Sequence, residues 1–403
     1  MTPRTIRLLL IEDNARDARL LSEMLRDVHG MARFELVWVD RLAKGLERIR
    51  AGEADVVLVD LSLPDATGLD TVVQTRQQAP DLPIIVLTAS AGDDKALAAL
   101  RAGAQDYLIK GWVDSELIVR TIRYAIERKR TEAALAHYAR ELQARNEQIQ
   151  ADLLLAREIQ MALLPQRYPT FPPGSPPEQS RLRFHHHYQP ATLLAGDFFD
   201  VFPVSETSAG VLICDVMGHG VRASLVTAML RPLVDEFAPK TNDPAAMLAE
   251  INRELISILQ QARTTIFATV FYMIADAAGH QLRCASAGHP APFHLQRARG
   301  TVAEVAGGSR SGPAVGLFRD ASYQTFQHDV EPGDAVLLYT DGLFELTNQN
   351  GEEYGRQRLE EFVRKNLHDC TPGLFEKLLG NLRQFAGSTE FPDDICLLSV
   401  EFA

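Results

Sequence analysis

Residues 56–68 read VVLVDLSLPDATG, a short apolar run that ends in Asp60 and continues into a polar turn. Four further apolar runs have a similar length and are separated by longer amphipathic stretches: residues 6–11, 34–39, 84–88 and 106–109. Short apolar strands that alternate with helices are typical of a parallel sheet covered on both faces. We therefore predict a five-stranded α/β domain over residues 1–125.

Polar residues stand where these predicted strands end. They are Glu12, Asp13, Asp60, Thr88 and Lys110. Ligands bind outside the carboxyl ends of the strands in an open α/β sheet, so we expect these side chains to converge. Clustered carboxylates repel one another unless a cation lies among them, which favours Mg²⁺ with Lys110 as a second positive charge. This arrangement suits an incoming phosphoryl group. The alternative is that each residue is merely a turn or cap residue.

The N-terminal region resembles the receiver domain of two-component response regulators in four ordered segments: LLLIEDN (8–14), VVLVDLSLPDATG (56–68), IIVLTAS (84–90) and AGAQDYLIKG (102–111). The resemblance implies a flavodoxin-like sheet with strand order 2-1-3-4-5. It implies that Asp60 accepts a phosphoryl group from a sensor histidine kinase or a phosphotransfer protein. Gly111 stands where the family usually has proline, so we expect a more mobile loop after the fifth strand.

The same resemblance implies two further sets of residues in this domain. Mg²⁺ is expected to be held by Glu12, Asp13, Asp60 and the carbonyl of Ser62. The switch that responds to phosphorylation is expected to consist of Thr88, Tyr107 and Lys110.

Residues 114–164 contain no Pro or Gly and are rich in helix formers, which predicts one continuous helix. Apolar residues recur every seven positions, at Leu135, Leu142, Ile149, Ala156 and Leu163, with Tyr138 and Ile159 at the companion position that Arg145 and Asp152 interrupt. This pattern is compatible with a coiled coil that would form a homodimer, and equally with a helix that packs on its own domains. We predict four segments along the chain: a receiver domain at 1–125, a helical connector at 126–165, a proline-rich linker at 166–180 and a second domain at 181–403.

The second domain has eight apolar stretches that predict strands and four amphipathic stretches that predict helices, which favours a layered α+β sandwich. Aspartates stand at the ends of its predicted strands in four segments: AGDFFD (195–200), VLICDVMGHG (211–220), VLLYTDG (336–342) and PDDICLL (392–398). Buried carboxylates without a nearby Lys or Arg in these segments imply a metal, and oxygen ligands favour Mg²⁺ or Mn²⁺. Two such ions would activate a water for attack on a phosphate ester. The alternative is a set of unrelated turn aspartates.

The region from AREIQMALLP (156–165) to the C-terminus resembles the SpoIIE/RsbU-like branch of the metal-dependent (PPM, type 2C) protein phosphatases, which implies an αββα sandwich with two Mn²⁺ or Mg²⁺ ions. The metal ligands implied by the resemblance are Asp197, Asp215, the carbonyl of Val216, Asp341 and Asp393, with Asp215 bridging both ions. Second-tier candidates are Asp200, Asp394 and His219, and His219 is not assigned as a general acid.

The composition limits the function further. There are 41 Lys and Arg against 53 Asp and Glu, and a net charge of -12 argues against a nucleic-acid or anionic-membrane partner. The N-terminus does not read as a signal peptide, no apolar run suffices for a membrane span, and the four cysteines are widely spaced, so we expect a cytoplasmic protein.

The two resemblances together predict a response regulator whose output is a metal-dependent serine/threonine phosphatase. The implied substrate is a phosphorylated anti-sigma-factor antagonist. The alternative is a non-catalytic adaptor in which the phosphatase fold binds a sigma factor or another regulatory protein. The discriminating feature is whether the metal-site aspartates survive, and Asp197, Asp215, Asp341 and Asp393 are all present.

Overall fold

The computed structural model describes residues 5–26, 33–89, 93–261, 266–305 and 311–403. The chain divides into two compact units, Met1–Glu147 and Gln148–Ala403, and each is described by itself below. The boundaries predicted above for the receiver domain, the connector, the linker and the second domain remain predictions. In the described part of the chain, no helix combines the length and the apolar character needed to cross a bilayer.

The first unit is built on a five-stranded parallel sheet with the order β2-β1-β3-β6-β7. The strands are β1 Thr5–Ile11, β2 Arg33–Val39, β3 Val56–Asp60, β6 Ile84–Thr88 and β7 Asp106–Ile109, and β4 Ser62–Leu63 and β5 Ala66–Thr67 form a small hairpin after β3. Because the β4–β5 hairpin lies outside the main sheet, β6 and β7 are the fourth and fifth strands of that sheet. The predicted strand order 2-1-3-4-5 is therefore confirmed.

Helices cover both faces of this sheet. They are α1 Ala15–Arg26, α2 Leu42–Arg50, α3 Leu69–Gln78, α4 Asp93–Ala102 and the first part of α5 Ser115–Leu163. Leu8 and Leu10 point into one apolar cluster with α1 and α5, and Leu9 and Ile11 point into the other with α2. Since alternate residues of a strand face opposite sides, a strand covered on both sides must be apolar throughout. This requirement explains the uninterrupted apolar runs in the sequence.

Helix α5 is 49 residues long and confirms the predicted connector helix. Its first turns are buried, with Ile118, Ile122 and Ile126 in the core of the first unit. Most of the following residues are exposed until Gln160 and Leu164, which are buried again.

The second unit contains two antiparallel five-stranded sheets, with the orders β15-β12-β11-β10-β9 and β14-β13-β16-β17-β8. The strands are β8 Leu182–Gln189, β9 Asp197–Pro203, β10 Ser208–Val216, β11 Ala268–Asp276, β12 Gln281–Ala287, β13 Phe293–Gln296, β14 Thr301–Glu304, β15 Phe326–Asp329, β16 Ala335–Tyr339 and β17 Ile395–Phe402. The hairpin β13–β14 was not predicted, because its strands are four residues each and carry several polar residues.

In the described residues of this unit, four helices flank the two sheets: α6 Val221–Phe237, α7 Pro244–Gln261, α8 Arg356–Lys365 and α9 Thr371–Ala386. Alternate residues of β16 show the layering, because Val336 and Leu338 pack in the cluster with the first sheet, α6 and α7, whereas Leu337 and Tyr339 pack against α8 and α9. The architecture is therefore the predicted αββα sandwich.

Candidate functional sites

The first candidate site lies at the carboxyl ends of β1 and β3 in the first unit. Ile11 pairs with Val59 in these neighbouring strands, so the residues that follow them, Glu12, Asp13 and Asp60, meet at one edge. Their ligand atoms all lie within 4.8 Å of one another, and Glu12 and Asp60 are buried while Asp13 is exposed. Three carboxylates at this separation fit a hard divalent cation such as Mg²⁺.

Lys110, which follows β7, brings a positive charge into this cluster. Its Nζ lies 2.6 Å from Glu12 Oε2, 2.7 Å from Asp60 Oδ2 and 3.4 Å from Asp17 Oδ2. Burial lowers the pKa of Lys110, but hydrogen bonds to Asp60 and Glu12 outweigh burial and raise the pKa above its usual range. Burial raises the pKa of Glu12, which the hydrogen bond from Lys110 partly offsets. Asp17, on α1, was not predicted, because nothing in the local sequence links it to Lys110.

The remaining predicted residues of this unit lie on three different elements, and Ser62 contacts Asp60 directly. The Ser62 backbone N–H donates to Asp60 Oδ1 at 3.2 Å from the β4–β5 hairpin. Thr88 ends β6, and its carbonyl accepts a hydrogen bond from the Lys110 N–H at 2.8 Å. Tyr107 is half-buried on β7 and packs against the apolar cluster on the α2 side. Ser90, the last residue of the segment IIVLTAS, lies outside the described residues.

The second candidate site lies in the second unit, where β9 and β10 face the second sheet. Asp197 and Asp215 are directly opposite each other in the antiparallel register of these strands. Directly opposite residues share a face with Cβ atoms about 4.5–5.5 Å apart. Thr340, which follows β16 in the other sheet, donates its hydroxyl to Asp197 Oδ2 at 2.7 Å. The pair of aspartates therefore points into the gap between the two sheets.

The second sheet contributes acidic residues to the same edge. Asp341 begins a short 3-10 helix, Asp341–Leu343, after β16, and Asp393 and Asp394 precede β17, the neighbour of β16. Gly342 is required here, since a Cβ at this position would lie 2.1 Å from the Asp394 carbonyl oxygen. The strand ends thus place these aspartates at the same edge of the sandwich.

Asp394 holds the loop that leads into Asp197. Its carboxylate accepts hydrogen bonds from the Ala191 N–H at 2.7 Å and the Gly196 N–H at 2.6 Å. Gly196 has no room for a side chain, because a Cβ would lie 2.8 Å from the Val216 carbonyl oxygen. The Val216 carbonyl therefore lies close to the residue that precedes Asp197.

The ionised form of the carboxylates in this site is destabilised relative to the protonated form. Burial and the charge of Asp215 raise the pKa of Asp197 well above its usual range. Burial raises the pKa of Asp215 to about 8, with further contributions from the acidic side chains Asp341, Asp393, Asp394 and Glu345. Burial and Glu345 raise the pKa of Asp341 to about 6. Groups that resist ionisation for these reasons are stabilised by a bound cation, so the donor set fits a metal centre.

The spacing of the two acidic groups differs. Of the residues that the structure describes, Glu12, Asp13 and Asp60 are the one trio of potential ligands within 4.8 Å of one another. The carboxylates of the second unit are more widely spaced. Mg²⁺ usually keeps several waters, so a wider carboxylate set fits ions that are held partly through water.

Two second-tier candidates lie apart from this group. Asp200 is three residues from Asp197 on β9 and therefore faces the opposite side of the strand, where Arg231 of α6 lies 3.1 Å from its Oδ1. The Arg231 guanidinium also donates to the Leu163 carbonyl at 2.9 Å, so Arg231 joins α6 both to Asp200 and to the end of α5. His219 is exposed in the loop between β10 and α6.

Gln160, near the end of α5, was not predicted to act at the site. Its side-chain amide donates to the Ala195 carbonyl at 2.8 Å and to the Thr227 hydroxyl at 3.2 Å. Its Oε1 accepts from the Ala195 N–H at 3.1 Å, so the amide pairs with the backbone two residues before Asp197. The segment AREIQMALLP contains this glutamine, but its partner is 35 residues away in the sequence.

Comparisons with known proteins agree with this geometry. The family model for the response regulator receiver domain matches residues 8–123. The family model for Stage II sporulation protein E (SpoIIE) matches residues 205–403. The chain therefore carries a response regulator receiver domain, followed by a SpoIIE-type phosphatase domain of the PPM family. The PPM family, to which the second of these models belongs, is metal-dependent.

Individual relatives are more distant. The phosphoserine phosphatases RsbP and RsbU of Bacillus subtilis (strain 168) are each 26% identical to this chain, over 251 and 255 residues. Each alignment covers 62% of this chain, and the chain spans 57% of the length of RsbP and 70% of that of RsbU. The solved SiaA-PP2C domain of Pseudomonas aeruginosa is similar with a TM-score of 0.54 at 24% identity, covering 64% of this chain and 99% of that chain. This similarity shows the fold of the second unit.

Proposed function

We propose that this protein is a response regulator whose phosphatase domain hydrolyses phosphoserine or phosphothreonine on a protein, under the control of Asp60 phosphorylation. One observation carries the proposal. Asp197, Asp215 and Asp341 are gathered at one edge of the sandwich, and burial together with neighbouring carboxylates raises the pKa of each. Such a group is stable at neutral pH when cations share the site.

The residues that would hold two Mn²⁺ or Mg²⁺ ions are Asp197, Asp215, the Val216 carbonyl, Asp341 and Asp393. When bound, the ions would supply an activated water and a clamp for the phosphate ester. In the reaction, the water oxygen forms a bond to phosphorus while the bond from phosphorus to the serine oxygen breaks. The serine oxygen takes a proton, so the products are a free hydroxyl and inorganic phosphate.

The protein supports this chemistry by fixing the carboxylates before the substrate arrives. Thr340 bonds Asp197 Oδ2, which leaves Asp197 Oδ1 for a ligand. Asp394 uses both carboxylate oxygens to hold the loop before Asp197, so we assign it a positioning role. Preorganised ligands of this kind lower the barrier because they do not need to reorient during the reaction.

For the substrate we propose a small anti-sigma-factor antagonist that is phosphorylated on serine or threonine. Two lines support this choice. The relatives RsbP and RsbU are named phosphoserine phosphatases. The SpoIIE/RsbU-like branch that the sequence resembles acts on such antagonists.

In the receiver domain, we propose that Asp60 is the phosphoacceptor and that Glu12, Asp13, Asp60 and the Ser62 carbonyl hold Mg²⁺. Lys110 contacts Asp60, Glu12 and Asp17 at once, so a change of charge at Asp60 alters all three ion pairs. We propose that Thr88, Tyr107 and Lys110 respond to this change, as in other phosphorylation switches.

The connector helix supports a further part of the proposal, a homodimer. Leu135, Leu142 and Ile149 are 63%, 62% and 55% exposed although they are large and apolar. Their seven-residue spacing places them on one side of a helix, as in a two-stranded coiled coil. Sedimentation equilibrium should detect a dimer that Leu142→Glu weakens and Gln143→Glu leaves unchanged.

The phosphatase activity is tested with the full-length protein, p-nitrophenyl phosphate and a phosphoserine peptide, in Mn²⁺ or Mg²⁺. We expect metal-dependent hydrolysis that falls by at least about 100-fold in Asp215→Asn, because Asp215 would help to hold both ions. Asp320→Asn, at an exposed position, is the matched control and should keep full activity. If the wild-type protein and Asp215→Asn are equally inert with both metals, the adaptor function replaces the phosphatase.

Control by the receiver is tested separately. The protein is treated with acetyl phosphate, and the rate of hydrolysis is compared with that of Asp60→Asn. Equal rates for the treated protein, the untreated protein and the variant would contradict control by Asp60 while leaving the phosphatase activity in place.

A further inference from the structure

Thr269 and His289 meet beside the proposed metal ligands without belonging to them. Thr269 lies on β11 directly opposite Asp215 of β10, and Asp215 lies directly opposite Asp197 of β9. Residues in direct register share one face of a sheet, so the three side chains form a row across three strands. Thr269 is half-buried and therefore reachable from solvent. Its hydroxyl oxygen lies 2.8 Å from His289 Nδ1.

His289 is held firmly in place. It is 2% exposed, and burial lowers its pKa to about 3, so the imidazole is neutral at physiological pH. The turn that carries it is fixed by Ser286, whose hydroxyl donates to the His289 carbonyl at 3.2 Å. Ser311 fixes the same turn through a 2.6 Å bond from the Gly288 N–H. These bonds fix the backbone of the turn from which the His289 imidazole contacts Thr269.

After its bond to His289, the Thr269 hydroxyl can still make a further hydrogen bond beside Asp215. A hydroxyl has one donor and two acceptor lone pairs, and a neutral imidazole nitrogen uses either the donor or one lone pair. In both tautomers at least one lone pair remains. An oriented acceptor beside a carboxylate row suits a water that is being activated by metal ions.

We propose that Thr269 binds a metal-bound water in the phosphatase site and that His289 is the residue that positions Thr269. This inference rests on the proposed phosphatase function and adds to it a group that orients the attacking water. A purely structural role for the pair, fastening the turn after β12 to β11, makes a different prediction. In that case removal of the hydroxyl would lower thermal stability and leave turnover unchanged.

The first test compares Thr269→Val, which removes the hydroxyl but keeps the shape, with Thr269→Ser, which restores a hydroxyl. Full-length proteins hydrolyse p-nitrophenyl phosphate in Mn²⁺, and Thr301→Val is the matched control on the edge strand β14. We expect kcat to fall about 3- to 10-fold in Thr269→Val, the effect of one lost hydrogen bond, with KM nearly unchanged; the melting temperature should also fall, because the buried His289 loses a partner, so turnover is the deciding readout. Thr269→Ser should recover most of kcat. An unchanged kcat in Thr269→Val, or an equal loss in Thr301→Val, overturns the proposal.

The second test asks whether the two residues act as a unit. His289→Asn can keep a polar atom near the Nδ1 position, whereas His289→Leu removes it. We expect kcat to be retained in His289→Asn and reduced in His289→Leu. The double variant Thr269→Val with His289→Leu should lose no more than Thr269→Val alone, because coupled residues are not additive. Additive losses would overturn the positioning role of His289.

The third test does not depend on turnover. Titration calorimetry and the Mn²⁺ EPR spectrum of the loaded protein report metal affinity and the environment of the ions in the phosphatase site, once the receiver signal that remains in Asp215→Asn is subtracted. We expect Thr269→Val to alter the EPR spectrum at nearly unchanged affinity, and Thr269→Ser and Thr301→Val to match the wild type. If the wild-type protein is inert toward phosphate esters and these spectral changes occur, the proposed phosphatase function fails while the contact of Thr269 with the bound water stands. Identical spectra in Thr269→Val and the wild type would overturn that contact.

Discussion

Removing the charge of Asp215 should stabilise the metal-free protein, and more so at higher pH. The pKa of Asp215 is raised to about 8, because the carboxylate is buried among other acidic side chains. In the unfolded chain an aspartate titrates near ~3.9. The folded state therefore holds its proton more tightly, and this contribution to stability is present below pH ~4 and is lost as the pH rises to about 8.

The size of the effect follows from the shift. One pH unit between the two pKa values corresponds to about 1.4 kcal/mol, so an ionised Asp215 costs on the order of 5 kcal/mol at pH 8. When Asp215 ionises, Asp197 or Asp341 can keep a proton, and this reduces the repulsion among the three carboxyl groups and hence the cost. We expect Asp215→Asn to increase the free energy of unfolding at pH 8 by about half of that cost, roughly 2 to 3 kcal/mol. For a unit of this size the increase corresponds to a rise in melting temperature of about 5 to 10 °C.

The assay is thermal unfolding of the full-length protein in EDTA at pH 5 and pH 8. The transition of the phosphatase domain is the one that Mn²⁺ shifts in the wild-type protein but not in Asp215→Asn, since the receiver domain keeps its own cation site in both proteins. We expect Asp215→Asn to melt higher than the wild type at pH 8 and to lose most of this advantage at pH 5. Asp320→Asn should match the wild type at both pH values. A variant that melts lower at pH 8, or a difference that does not change with pH, would refute the electrostatic account of the site.

Three further predictions concern other parts of the molecule. Asp60→Asn should prevent the gain in intact mass that acetyl phosphate produces in the wild-type protein, since the variant lacks the carboxylate that would accept the phosphoryl group. Arg231→Met should lower the free energy of unfolding by about 2 to 3 kcal/mol, measured by urea denaturation, because Asp200 is buried and loses its cation. Gln160→Leu should weaken Mn²⁺ binding in calorimetry and reduce turnover, because both polar groups of Ala195 lose their partner, whereas Gln166→Leu should change neither.

The fold could be predicted from the sequence wherever burial alone determines the pattern. The strands β1 and β3 are apolar on both faces, since helices cover both sides, and their ends could be located within one residue. The hairpin β13–β14 could not be found, because FHLQ and TVAE mix polar and apolar residues without a clear period. Its pairing is set by the neighbouring strand β16, which is about 40 residues away in the sequence.

The candidate sites were predictable to the extent that they depend on strand ends. The acidic motifs indicate which residues lie at one or the other end of a buried strand, and adjacent strands bring those residues together. The sequence also indicates that Asp200 and Asp197 lie on opposite faces of their strand, since side chains three residues apart on a strand point in opposite directions. Asp17, Thr269 and Gln160 were missed because each acts through a partner that is close only in the folded chain.

The loop before Asp197 is held from two directions, and this arrangement bears on how a signal could reach the metal site. Gln160 on α5 holds Ala195, and Asp394 beside β17 holds Gly196. The tie to Asp394 lies within the sandwich, whereas Gln160 is part of the connector helix. A rotation of the last turns of α5 would therefore break the bonds to Ala195 and leave those to Gly196 in place. The metal site would be loosened rather than dismantled, which is the reversible response that a regulated phosphatase needs.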